Sequence, residues 1–199
     1  HPVTAEVSEA LSGDSQGICA VASLDALSRN LPEPSVGETI VVLAQGRDPG
    51  NVGTIIRTAD AFGAVGVVAV AGTVDAASPK VVRSSAGSVF HIPVCVVPSF
   101  ADARALIHGR SAVLLGTSGG AGSLSLSDLL VQGVSARSRL SQSHAWVFGN
   151  EARGLSGEEM RLCDALVSIP MTGDAESLNV ASAAATCLFA SQTVRGIDR

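Results

Sequence analysis

The sequence predicts an α/β fold: a mostly parallel sheet with crossover helices. Short β-rich runs alternate with helical patterns from residue 39 onward, the signature of strand–helix–strand units. The strand runs are almost continuously apolar, as expected where both faces of a sheet are covered. The 199 residues are 46% hydrophobic and 16% charged with 21 glycines, enough for one sizeable domain plus part of another.

Residues 1–17 are polar and read as irregular, "GICAVAS" (17–23) reads as a strand, and "LPEPSVGE" (31–38) as a Pro-rich connector. Strands are then expected at 39–44 (TIVVLA), 65–70 (VGVVAV), 92–97 (IPVCVV), 111–116 (SAVLLG), 144–149 (HAWVFG) and 165–169 (ALVSI). Helices are expected at 51–62, 78–86, 99–109, 156–163 and 178–193. In the first, Val52, Ile55, Ile56, Ala59 and Phe62 form one apolar stripe, with Arg57 on nearly the opposite face. The stretch "GTSGGAGSLSLSDL" (116–129) reads as a Gly/Ser loop. In the last helix the inner positions are almost all small, with Glu176, Ser177 and Asn179 at its mouth.

Thirteen basic against 18 acidic residues give a net charge of −5, which counts against binding polyphosphates through bulk charge. Twelve of the 13 basic residues are Arg, and the exception is Lys80. Arg makes forked contacts with phosphates and base edges, so a few placed side chains suffice to hold RNA locally. Cys19, Cys95, Cys163 and Cys187 are scattered without a C-x-x-C pair, which reads as reduced core cysteines in a cytoplasmic protein. No metal site is expected, and His91, His108 and His144 are isolated and take no catalytic role. No apolar run is long enough to cross a bilayer. A chain opening on His1 without a secretory signal reads as truncated.

Ligands of open α/β sheets sit beyond the carboxyl ends of the strands. Three loops lie there. "AQGRDPGNVGTIIRTADAFGA" (44–64) contains an Asp-Pro-Gly turn, and Asn51 reads as the N-cap of the following helix. "FGNEARGLS" (148–156) ends a strand in Gly149, Asn150 and Glu151, and its glycines permit close backbone approach. "IPMTGDAESLNVASAAATCLFA" (169–190) opens the last helix. Each also reads as an ordinary turn or cap. Gly116, Gly119, Gly120 and Gly122 suggest a dinucleotide loop, but match neither G-x-G-x-x-G nor a phosphate loop in register. The acidic residue such a site needs about twenty positions on is also missing.

Taken together, the three loops resemble the three motifs of the SPOUT methyltransferases, in the SpoU or TrmH branch that methylates RNA ribose 2′-hydroxyls. "DPGNVGTIIRTADAFG", "FGNEARGLS" and "IPMTGDAESLNVASAAA" match in order and spacing, over about residues 39 to 195. The resemblance implies that the C-terminal segment passes through a loop to form a deep trefoil knot, an exception to the unknotted rule. Ala181, Ala183, Ala184 and Ala185 would then permit the close helix packing a knot requires. It implies S-adenosylmethionine as cofactor, held by Gly149, Ile169 and Leu178, with Met171 beside them and Thr117 lining the pocket. It implies homodimers whose active sites draw on both protomers.

The family's essential arginine matches Arg57, often proposed as the base for the 2′-hydroxyl. Because guanidinium holds its proton tightly, Arg57 is expected instead to stabilise the developing alkoxide and grip the adjacent phosphate. Asn51 would support Arg57, while Glu151, Ser177 and Asn179 complete the site. "SPKVVRSSAGSVFHIP" (78–93) resembles a loop near the target, making Lys80 and Arg83 expected phosphate contacts. "LSGDSQGICAVAS" (11–23) resembles the end of an N-terminal RNA-binding domain. Residues 1–38 are thus expected to be its remnant plus a linker, and 39–199 the catalytic domain. Ribosomal RNA, most of all 23S rRNA, is the preferred substrate and transfer RNA the second. A catalytically silent RNA-binding or ribosome-assembly factor of the same fold is the rival reading.

Overall fold

The computed structural model describes all residues except 12, 14–16, 121, 134–137 and 198–199, together with the side chain of residue 197. Among the described residues, seven strands form one sheet: β1 (Thr39–Leu43), β2 (Gly66–Val70), β3 (Val94–Val97), β4 (Val113–Thr117), β5 (Leu124–Ser125), β6 (His144–Phe148) and β7 (Ala165–Ser168). Their order is β3-β2-β1-β6-β4-β7-β5, and every pairing is parallel. β1, β2 and β6 are buried along their whole length, which explains their unbroken apolar runs.

Among the described residues, seven α-helices accompany the sheet: α1 (Ala5–Leu11), α2 (Pro49–Ala61), α3 (Pro79–Ser84), α4 (Phe100–Gly109), α5 (Leu126–Gly133), α6 (Gly157–Leu162) and α7 (Val180–Ile197). Side chains alternate across each strand, so the core divides into two layers. Val41, Leu43, Trp146 and Phe148 meet α2, α3, α5 and α7 on one face. Ile40, Val42, Ala145 and Val147 meet α4 and the segment from Leu155 into α6 on the other.

α7 buries Ala181, Ala184, Cys187 and Leu188, spaced to make one narrow face that lies beside α2. α2 in turn admits α3 closely at Gly53, where a Cβ would overlap Ser84 Oγ and the Val81 carbonyl. Beneath α7 sits a buried polar cluster. His144 Nδ1 lies 2.8 Å from the Gln142 carbonyl, Nε2 lies 2.7 Å from Ser191 Oγ, and Trp146 Nε1 donates to the same oxygen at 2.8 Å. A carbonyl only accepts, so Nδ1 carries the proton and Nε2 accepts from Ser191. Burial lowers the His144 pKa to about 4. The connector before β1 is fixed by Arg110, which donates to both carboxylate oxygens of buried Glu38 at 2.6 and 2.8 Å and to the Pro32 carbonyl at 2.8 Å.

Every expected strand from residue 39 onward is present within about two residues. The five expected helices are present too, with α7 running on to Ile197. Four further details differ. Residues 17–23 form no strand: Ile18 and Val21 are 90% and 93% exposed, and β-rich sequence without a neighbouring strand has no ladder to join. α1 occupies part of the stretch expected to be irregular. The Gly/Ser loop ends early, at β5 and α5, because Leu126 and Leu129 find a buried place on one helical face. The N-cap of α2 is Asp48 rather than Asn51. Asp48 Oδ1 accepts from the Asn51 N–H at 2.8 Å, with Pro49 in the first turn, where its missing N–H costs nothing. Asn51 is therefore inside the helix, with its side chain available for other contacts.

Candidate active site

The carboxyl ends of β1, β4, β6 and β7 lead into loops that surround one cavity of about 700 Å³. That is within the range of about 300–1,000 Å³ usual for small-molecule sites. Its wall combines Thr117, Gly149, Glu151, Ile169, Met171, Ser177, Leu178, Asn179 and Asn51. All five expected cofactor contacts and four of the five expected catalytic residues thus come together, from positions up to 128 residues apart.

Specific bonds tie the loops to one another. The Asn179 Nδ2 donates to Asn51 Oδ1 at 3.0 Å, joining the mouth of α7 to the first turn of α2. The same Asn179 caps α7, its Oδ1 accepting from the Ala181 N–H at 2.8 Å. Glu151 accepts from the Asp48 N–H at 3.0 Å and the Arg47 N–H at 3.2 Å. A carboxylate expected to face substrate is here occupied in holding the turn that starts α2. Thr117 Oγ1 donates to the Val147 carbonyl at 2.9 Å, which fixes this side chain against the neighbouring strand.

The glycine at 149 has a geometric reason. Asn150 and Gly154 pair as a short antiparallel bridge, with N–H···O distances of 3.1 and 2.8 Å. A Cβ on Gly149 would overlap the backbone of Gly154 and Leu155, so only glycine leaves the strand end this close to its returning loop. The floor is apolar, with Leu155, Met160, Val167 and Ile169. The exposed lining mixes the polar Glu151, Arg153, Glu176, Ser177 and Asn179 with the apolar Met171 and Leu178, a combination that suits a ligand with a flat apolar moiety and a charged end.

Arg57 is placed differently. It is exposed on α2 and outside the lining of the cavity, and it makes no hydrogen bond or ion pair among the described residues. Lys80 and Arg83 line a separate hollow of about 500 Å³ with Asp48, Pro49, Gly50 and Ser84. Ser84 Oγ donates to the Pro49 carbonyl at 2.8 Å, holding α3 against the start of α2. Both basic residues therefore sit beside the first loop but not in the main cavity. Among the described residues, no three His, Cys, Asp or Glu side chains gather as a metal site, and no helix is long and apolar enough to cross a membrane.

Site residues not singled out from sequence include Arg153, on the cavity wall, and Gln45, which is bonded to it. Arg153 Nη2 donates to Gln45 Oε1 at 2.6 Å, and the Gln45 carbonyl accepts from Asn150 Nδ2 at 3.2 Å. Gln45 lies just past the end of β1 with φ of 63°, a conformation that few side chains adopt without a local reason. Its position beyond a strand's carboxyl end was the available signal.

Known proteins of one family resemble this chain over most of its length. The SpoU rRNA Methylase family matches residues 38–189. A 23S rRNA (uridine(2479)-2′-O)-methyltransferase of Streptomyces viridochromogenes is 40% identical over 146 residues, covering 71% of this chain and 47% of that protein. A 23S rRNA (guanosine-2′-O-)-methyltransferase of Bordetella pertussis is 34% identical, covering 96% of this chain and 76% of the relative. The crystal structure of the SpoU methyltransferase AviRb from S. viridochromogenes in complex with the cofactor AdoMet superposes with a TM-score of 0.69 at 35% identity. It covers 89% of this chain and 62% of that one. The chain spans about half the length of the first of these relatives and about three quarters of the second. The match over most of the sequence, with the three loops meeting at one cavity, places the chain in the SpoU rRNA methylase family.

Proposed function

We propose that this chain is the catalytic part of an S-adenosylmethionine-dependent RNA 2′-O-ribose methyltransferase acting on ribosomal RNA, with 23S rRNA the first choice. The observation that carries the reading is the meeting of three sequence-distant loops at one cavity whose lining combines apolar side chains with polar and charged ones. Bound there, S-adenosylmethionine would supply an activated methyl group. Gly149, Ile169 and Leu178 would hold it through backbone groups, with Thr117 and Met171 closing the sides.

The protein's own part is positioning and charge stabilisation. Arg57 would grip the phosphate next to the target ribose and stabilise the alkoxide as the 2′-hydroxyl loses its proton to water or to that phosphate. Asn51 and Asn179, already bonded to each other, would hold the ribose end of the site with Ser177, while Glu151 keeps the Arg47–Asp48 turn in place. Lys80 and Arg83 would contact RNA phosphates from the neighbouring hollow. Positioning two reactants in this way can supply much of the acceleration.

The reading includes a homodimer. Arg57 stands outside the cavity of its own chain, and α2 and α7 pack side by side with Arg57 and Phe189 exposed. A second copy against these helices would bring an Arg57 to a complete site. It also includes a threaded C-terminus, supported by β7 lying between β4 and β5 and by the small-residue face with which α7 returns to α2. Residues 1–38 are read as the end of an RNA-binding domain and its linker, in a cytoplasmic enzyme.

Mass-spectrometric mapping of ribose methylation in RNA from cells with and without the intact gene tests the function. One 2′-O-methylated nucleotide of 23S rRNA should be lost with the gene and restored by its return. Unchanged ribosomal RNA, with the loss of a methyl group in transfer RNA or nowhere, would contradict the assignment.

A further inference from the structure

Three acidic or basic side chains line the cavity: Glu151, Arg153 and Glu176. Glu151 is occupied, since its carboxylate accepts from two backbone N–H groups. Backbone N–H groups leave its charge in place but take up its oxygens, whereas Arg153 and Glu176 keep bonding capacity for a ligand. Neither joins an ion pair among the described residues, with each other or with any third group. Arg153 is instead turned toward Gln45, whose side-chain oxygen takes one guanidinium N–H at 2.6 Å. That partner is neutral, so it orients the guanidinium without cancelling its charge, and leaves four of the five N–H groups for a ligand.

A cation and an anion on one cavity wall, each with bonding capacity left for a ligand, suit a ligand that bears both charges. A phosphate would gain from Arg153 but be repelled by Glu176. A zwitterionic amino acid gains from both, with its carboxylate at the guanidinium and its ammonium at the carboxylate. We propose that Arg153 and Glu176 bind the two charged ends of the methionine tail of the methyl donor, and that Gln45 is the positioning residue for Arg153. This rests on the reading of the cavity as the S-adenosylmethionine site.

Gln45 is itself constrained to the task. The Asn150 side-chain amide holds its carbonyl at 3.2 Å, and Asn150 Oδ1 accepts from the Ala152 N–H at 3.0 Å. The guanidinium and its orienting oxygen thus belong to two loops, 108 residues apart, that are fastened to each other at a second point. Gln45→Glu is the informative change at this position. It places a carboxylate against Arg153, neutralises it, and adds a charge that repels the donor's carboxylate.

The test is calorimetric binding of two probes to the intact chain: S-adenosylmethionine, and methylthioadenosine, which has the nucleoside but no amino-acid tail. Arg153→Met and Glu176→Gln should each weaken S-adenosylmethionine about tenfold, and Gln45→Glu by a similar factor. All three should bind methylthioadenosine like the wild type, which also shows that the cavity is intact. Equal weakening of both probes would mean a general disturbance of the cavity and would overturn the proposal. So would unchanged S-adenosylmethionine affinity, including the case where only RNA binding falls and Arg153 meets phosphate instead. If the wild type binds neither probe, the donor reading of the cavity fails, a result distinct from failure of the variants alone.

Discussion

Replacing Arg57 by Ala should lower the rate of ribose methylation by about a hundredfold to a thousandfold, the usual loss when one stabilising donor is removed from a developing oxyanion. The fold should not suffer, because Arg57 is exposed and bonded to nothing among the described residues. Surface substitutions of that kind typically change stability by no more than about 0.5 kcal/mol. S-adenosylmethionine affinity should also hold, because the alkoxide and phosphate that Arg57 is proposed to meet belong to the RNA and not to the donor. The shape of the pH–rate profile then separates two chemistries. If Arg57 were the base, substitution would remove or shift the limb that reports its titration. If it is a clamp on alkoxide and phosphate, the whole curve drops with its limbs in place. No carboxylate among the described residues pairs with Arg57, so a clamp would meet the substrate with its charge unshared.

A second large effect concerns acid. His144 is fully buried between the sheet and α7, and burial lowers its pKa from 6.5 to about 4. The Gln142 carbonyl on its Nδ1 pulls the other way, and the charge of Arg195 adds to the lowering. An unfolded chain binds this proton below pH 6.5, whereas the folded chain refuses it until about pH 4. Stability is therefore complete above pH 6.5 and is lost as pH falls toward 4. The loss reaches about 3 kcal/mol, since each pH unit separating the folded and unfolded titrations is worth about 1.36 kcal/mol. Urea unfolding between pH 7 and pH 4 checks this, and His144→Gln should flatten the dependence over that window. Ser191→Ala should destabilise at every pH, since it strands the Trp146 N–H and leaves His144 Nε2 without its donor. An equal pH slope in wild type and His144→Gln would show that another group sets the acid limit.

The central sheet was legible because its strands are buried on both faces, so burial wrote itself into the sequence as unbroken runs such as Ile40-Val41-Val42-Leu43. α2 was legible from its apolar stripe, but its start was not. Asp48 and Asn51 are both good caps, and Pro49 in the first turn decides for Asp48. α5 was hidden because "SLSLSDLL" alternates like a strand at its start. Only tertiary space for Leu126 and Leu129 selects the helix. The 17–23 segment shows the reverse, strand-like sequence with no neighbour to pair with.

The site divides in the same way. Gly149, Ile169 and Leu178 are found by their places after strands and by likeness to a family, and they do share one cavity. That Glu151 would be spent on the backbone of Arg47 and Asp48, or that Gln45 would orient Arg153, depends on loops more than a hundred residues apart. No local pattern carries such pairings. Arg57 was legible as a residue, but its distance from its own cavity was visible only in three dimensions.

The account stands on one claim, that the cavity walled by Gly149, Ile169 and Leu178 is where the methyl donor binds. A crystal structure of the chain grown with S-adenosylmethionine tests it most directly. The donor should lie over Leu155 and Met160, against the backbone of Gly149, Ile169 and Leu178. A donor bound at any other place on the molecule, with this cavity left to solvent, would contradict the account.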